Sequence, residues 1–117
     1  MSFDILESID QTDLPHSPQT RRLIAQYGTR LERLSHRVKW LLVAGFSIHC
    51  ATFLSAEIEY IDLTEITEFI EGFVSLSNEE RGDLNFIFSE LEEWGLGTIS
   101  AFCEVLSKHL KLGVYAG

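Results

Sequence analysis

At 117 residues, 45% apolar and with only two prolines, Pro15 and Pro18, the chain can build one modest core without metal or disulfide staples and is too apolar to be disordered. Nine basic and eighteen acidic side chains give a net charge of −9, which disfavours general nucleic-acid binding because phosphate contacts must neutralise charge. The charge is uneven: residues 1–39 carry six basic and five acidic groups, a balance of +1, and residues 40–117 carry three and thirteen, a balance of −10.

Residues 1–16 read as an N-terminal arm, with Phe3, Ile5, Leu6 and Ile9 able to pack on the body as a short amphipathic piece. Its acidic start, MSFDILESIDQTD, lacks the basic-then-apolar layout of a secretory signal. Cys50 and Cys103 have no CxxC or Cys/His spacing and read as buried reduced thiols. Together these features point to the cytoplasm.

Residues 17–117 read as a single helical-bundle domain. Ser17-Pro18 is a helix start, with serine as cap and proline at the first helical position. From there Ile24, Tyr27, Leu31, Leu34, Val38, Leu41, Gly45 and Ile48 recur at alternating spacings of three and four. That predicts one long first helix from about 18 to about 56, with Gly28 and Gly45 as places for a bend, a fold-back or a close helix crossing. Its first half is basic and amphipathic. Its second half, Trp40 to Ala56, is seventeen residues without a formal charge and should run through the centre of the molecule. At ~25 Å it falls short of the ~30 Å of a bilayer core and carries Ser47, His49, Thr52 and Ser55, so a membrane span is the less favoured reading.

Asp62 and Glu65 fit a capping box, with Leu63, Ile66, Phe69, Ile70 and Phe73 inward and Glu65, Glu68 and Glu71 outward. Ser77 and Glu80 form a second box, followed by a core stripe of Leu84, Ile87, Phe88 and Leu91. After Trp94-Gly-Leu-Gly, Thr98 is the expected cap of a last helix, which buries Ile99, Phe102, Cys103, Leu106 and Leu110 and stops at Gly113. No strand pattern appears. The fold class expected is all-α, a compact bundle of about four main helices with a long first helix and a short N-terminal arm.

Chemistry finds little support. His16, His36, His49 and His109 share no i, i+4 spacing, and there is no ExxH, HExxH, phosphate-binding loop or nucleophile elbow. His49 reads as a buried, hydrogen-bonded ring. We therefore expect no catalytic residues, no metal and no cofactor.

Binding features are clearer. Arg30, Arg33 and Arg37, with Arg22 and His36 nearby, form a basic stripe that could grip phosphate or an acidic protein, or pair with the chain's own glutamates. An acidic belt runs from Glu57 to Glu93, offset only by Arg81. It reads either as solvated helix faces or as a mimic of nucleic-acid charge. Phe86, Trp40 and Tyr115 fit no stripe and are candidate interface anchors. A ~58 Å first helix would outrun the cover available, leaving the stripe through Leu31 and Leu34 for a second copy or a partner helix. The function expected is a non-enzymatic, protein-binding regulator or assembly subunit, a homodimer or a complex subunit. Its candidate contacts are Arg30, Arg33, Arg37, Leu31, Leu34, Glu65, Glu68, Glu71 and Phe86. The alternatives are an acidic inhibitor of a basic or nucleic-acid-binding groove and a single-pass membrane-anchored subunit.

Overall fold

The computed structural model describes residues 17–116, so the arm expected over 1–16 lies outside the described residues. Among the described residues there are five α-helices: α1 (Pro18–Tyr27), α2 (His36–Leu54), α3 (Leu63–Glu71), α4 (Asn78–Glu90) and α5 (Leu96–Leu112). The all-α class is as expected.

The long first helix is not. It ends at Gly28, where φ is 98° and ψ 161°, a region that essentially only glycine enters. Leu31 follows with a left-handed φ of 53°, unusual for a bulky residue, and its side chain is fully buried. Ser35 then caps α2 through a 3.1 Å bond from the Val38 N–H. The heptad stripe therefore runs across a turn. Folding back at Gly28 places Leu23, Tyr27, Leu31, Leu34 and Val38 in the chain's own core. The excess of stripe over cover, on which the expectation of pairing through Leu31 and Leu34 rested, does not arise.

α2 is the central element and packs against α3, α4 and α5, while α3 also packs on α4. Phe46 stands at the middle of the core, edge-on to Phe88 at 5.0 Å and to Phe102 at 5.6 Å between ring centres. Beside it, Gly45 leaves no room for a side chain: a Cβ there would sit 2.5 Å from Phe88 Cζ and 2.7 Å from Ile66 Cγ2. The close crossing expected at Gly45 is thus between α2 and the α3–α4 pair. α1 is held to α4 by the Tyr27 hydroxyl, which donates to Asp83 at 3.0 Å, by Tyr27 against Phe86, and by Arg22 with Glu90. Burial, then the bond to Asp83, raises the Tyr27 phenol far above its ordinary pKa.

Caps set the remaining boundaries. Ser77 and Glu80 form the expected box. Asp62 caps α3 by accepting from the Leu63 N–H at 2.9 Å and the Thr64 hydroxyl at 3.0 Å. α5 starts earlier than expected: its N-cap is Gly95, not Thr98, and Gly113 ends it with a left-handed φ of 79°. In α3 the buried positions are Leu63, Ile66, Thr67 and Ile70, one turn apart on one side. Phe69 lies about 110° round the helix from that stripe, and Phe73 lies beyond its end. Both face outward, against expectation.

Lys39 was grouped with the basic segment, yet it is completely buried. Its ammonium donates to the Val114 carbonyl at 2.6 Å, the Arg30 carbonyl at 3.2 Å and His109 Nδ1 at 3.1 Å. These bonds join the α1–α2 turn, α2, α5 and the C-terminal tail at one point. The tail is held further by the Ala116 N–H, which donates to the Leu34 carbonyl at 2.8 Å, and by Tyr115, stacked on His36 at 4.1 Å.

Two stability outcomes follow. Gly45→Ala should destabilise the fold by about 1–3 kcal/mol through overpacking against Phe88 and Ile66, read from the midpoint of chemical denaturation at unchanged slope. Lys39→Met should cost about 2–4 kcal/mol because it strands buried acceptors, with faster amide exchange at Ala116 than at Phe46.

Candidate functional site

The connection from α2 to α3 is tied down by two buried polar side chains. His49 and Thr52 lie three residues apart, hence on one face of α2, and both address Ile61. His49 Nδ1 lies 2.9 Å from the Ile61 carbonyl, which can only accept, so this nitrogen carries the proton. The Ile61 N–H donates to Thr52 Oγ1 at 3.0 Å, and the Thr52 hydroxyl donates to the His49 carbonyl at 3.1 Å. Both backbone groups of Ile61 are thereby satisfied, and the connection is fastened to the end of α2. His49 is the buried, hydrogen-bonded ring that its position in the apolar run indicated.

This anchoring shapes a cleft of about 510 Å³ between the connection and α3, lined by Ile58, Glu59, Tyr60, Ile61, Glu65, Glu68 and Phe69. Its apolar side chains are unusually open to solvent: Ile58 is 60% exposed and Tyr60 46%, and next to them Phe53 is 58% and Phe73 76% exposed. They are nonetheless ordered by one another. Tyr60 packs edge-on to Phe53 at 5.8 Å and against the His49 ring at 5.4 Å, its hydroxyl donates to Asp62 at 3.2 Å, and Phe69 packs on Phe73 at 5.3 Å.

The electrostatics are one-sided. No lysine or arginine occurs between Lys39 and Arg81. Among the described residues no cation meets the carboxylates of Glu57, Glu59, Glu65 or Glu68. Apolar side chains with an uncompensated acidic rim make this cleft a candidate binding surface.

The residues singled out from the sequence are distributed as follows. Glu65 and Glu68 line the cleft. Glu71 does not: Arg81 donates to it through Nε at 2.9 Å and Nη2 at 2.6 Å, which holds its carboxyl below the usual range. Leu31 and Leu34 are core. Arg30, Arg33 and Arg37 do not form one helical stripe, because the chain turns between them. The Arg30 N–H donates to Glu32 at 3.0 Å, Arg33 reaches the Gln26 carbonyl at 3.3 Å, and Arg37 donates to the Ser75 carbonyl at 2.5 Å with Glu80 3.4 Å from its Nε. Phe86 is half-buried, edge-on to Tyr27 at 6.1 Å. Trp40 remains 56% exposed, its indole N–H donating to His36 at 3.1 Å. Ile58, Tyr60 and Phe53 were missed, and Phe69 and Phe73 were assigned inward. The available signal was that Ile58 and Tyr60 stand among Glu57, Glu59 and Asp62 in a stretch that belongs to no predicted helix.

A second, apolar cleft of about 300 Å³ between α2 and α5 includes Cys50 and Cys103. Burial, and then the charge of nearby Cys50, pushes the Cys103 thiol up to about 11, and burial raises Cys50 as well. Both thiols are protonated at neutral pH and are poor nucleophiles there. Among the described residues no group of three or more His, Cys, Asp or Glu side chains could hold a metal ion. Compared with known proteins, the chain matches no family model, no curated protein and no solved structure.

When the intact chain is labelled with iodoacetamide and the two cysteine peptides are quantified separately, the Cys103 rate should keep rising above about pH 10, because burial and the neighbouring Cys50 hold its thiolate back until then. A rate that levels off near the ~8.5 of a free thiol would show that Cys103 sits in water.

Proposed function

We propose that the protein is a non-enzymatic, protein-binding regulator or assembly subunit whose partner seats on the cleft between the α2–α3 connection and α3. The observation carrying this reading is the coincidence of Ile58, Tyr60 and Phe69 in one exposed cleft with Glu59, Glu65 and Glu68 around it. Exposed aromatic residues on a fixed scaffold are the usual anchors of protein interfaces, and uncompensated charge at the rim steers encounter and selects the partner. A substrate site would need polar groups converging on an enclosed cavity, and this cleft offers carboxylates at an open edge instead.

The same carboxylates would serve an inhibitor of a basic groove, the first alternative from the sequence. The apolar residues between them favour a partner that brings apolar side chains along with its positive charge. The internal pairs of Glu71 with Arg81, Glu80 with Arg37 and Glu90 with Arg22 also shorten the belt as an uncompensated surface. For the membrane alternative, α2 is the one described helix long and apolar enough to cross a bilayer. Its packing against α3, α4 and α5 supports a core role instead.

Site-specific photo-crosslinking tests the reading. A benzophenone side chain placed at Phe69 should give a discrete protein adduct in cells that make the protein, and the same group at Glu104 on α5 should not. Equal adducts from both positions, or none from Phe69, would rule the cleft out as the contact surface.

A further inference from the structure

We infer that the occupant of the cleft is a basic amphipathic helix of about three turns. Its apolar side chains would enter between Ile58, Tyr60 and Phe69, and its Lys or Arg side chains would reach Glu59, Glu65 and Glu68. This rests on the binding reading above and adds the conformation and charge of the partner.

Charge sets the first requirement. The rim carries carboxylates without cations, in a stretch where the chain supplies no lysine or arginine from Trp40 to Glu80. An acidic or neutral occupant would leave like charges facing each other or lose the attraction. A purely cationic one, such as a disordered polybasic tail, would leave the apolar floor wet.

Backbone hydrogen bonding sets the second. An extended peptide buried on a protein normally pairs its N–H and C=O groups with a strand edge. Among the described residues there is no strand; the only bridge, between Ser35 and Ala116, lies outside the cleft lining. Both backbone groups of Ile61 are already satisfied by His49 and Thr52. The Ile58 N–H is likewise taken by the Ser55 hydroxyl. With no strand edge lining the cleft, the occupant that fits it best is one that satisfies its own backbone, as a helix does.

Geometry sets the third. Glu65, Glu68 and Phe69 lie at i, i+3 and i+4 on the outer side of α3, and Phe73 continues that line past its end. α3 spans nine residues, about 13 Å. A helix laid alongside presents apolar residues at i, i+3 or i+4 and i+7 over a similar length.

The test uses the full chain and a fluorescent fourteen-residue peptide of leucine and lysine at amphipathic helical spacing. Micromolar binding is expected, with a gain in helical circular dichroism and weakening as salt rises. Glu65→Gln with Glu68→Gln should weaken it roughly five- to tenfold, and Phe69→Ser at least as much. Glu79→Gln with Glu104→Gln removes the same charge outside the cleft and should change affinity less than about twofold. All are exposed positions, and melting curves check that each variant is folded. Equal weakening by the two double substitutions would mean unspecific charge attraction and overturn the inference. So would undiminished binding of a proline-interrupted peptide, equal binding of a glutamate-for-lysine peptide, or binding to phosphatidylcholine vesicles in place of the peptide. If Phe69 crosslinks a protein but no basic helix binds, this inference fails and the binding reading stands.

Discussion

The fold depends on α2 being approached from three sides, and that approach depends on the missing side chain at Gly45. A helix can take neighbours close to its axis only where its surface is flat. At this position Phe88 from α4 and Ile66 from α3 occupy the space that a Cβ would fill. Phe46, the next residue, fills the opposite need with a large ring that meets Phe88 and Phe102 edge-on. Glycine's helix-weakening tendency is offset here by dispersion contacts from two elements at once.

Polar groups then fix what the apolar core leaves loose. At one end of α2, Lys39 gathers the Arg30 carbonyl, the Val114 carbonyl and His109, so that the turn after α1 and the C-terminal tail share one buried ammonium. Towards the other end, His49 and Thr52 satisfy both backbone groups of Ile61. A buried group with its bonds made is specific in a way that apolar contact is not, since any other arrangement leaves a donor or acceptor stranded. One consequence is a rigid wall for the cleft: Tyr60 and Ile58 stand on a connection that is anchored rather than free. Tertiary hydrogen bonding thus creates the surface that the proposed function uses.

Charge follows the same division. Where α1, α2 and α4 meet, arginine and glutamate pair across elements, as in Arg22 with Glu90, Arg37 with Glu80 and, within the α3–α4 hairpin, Arg81 with Glu71. Such exposed pairs contribute little to stability. Their effect is to compensate Glu71, Glu80 and Glu90, while Glu59, Glu65 and Glu68 at the cleft keep their full charge. An apolar cleft beside those carboxylates discriminates twice, by shape and by sign.

The sequence by itself determined the helices that begin with a chemical signal. Ser17-Pro18, Asp62 and the Ser77–Glu80 box all mark true starts, because a cap is a local bond between neighbours in the chain. The uncharged run Trp40–Ala56 was legible only in part: it sends Leu42, Phe46 and His49 into the core, but Trp40, Phe53 and Leu54 stay exposed, because lack of charge does not say which face finds a partner. What only the tertiary structure decided was where continuity fails and which faces stay open. A heptad pattern does not distinguish one helix from two joined by a turn, because it marks which residues are covered and not what covers them; the positive φ at Gly28 and Leu31 turned Leu31 and Leu34 into the chain's own core. Phe69 was assigned inward from its spacing, yet Thr67 holds the buried position and Phe69 faces the cleft. Lys39, ordinary in sequence, is buried because acceptors distant in the chain converge on it. Local bonds are legible in a linear sequence, whereas burial depends on partners that only folding brings near.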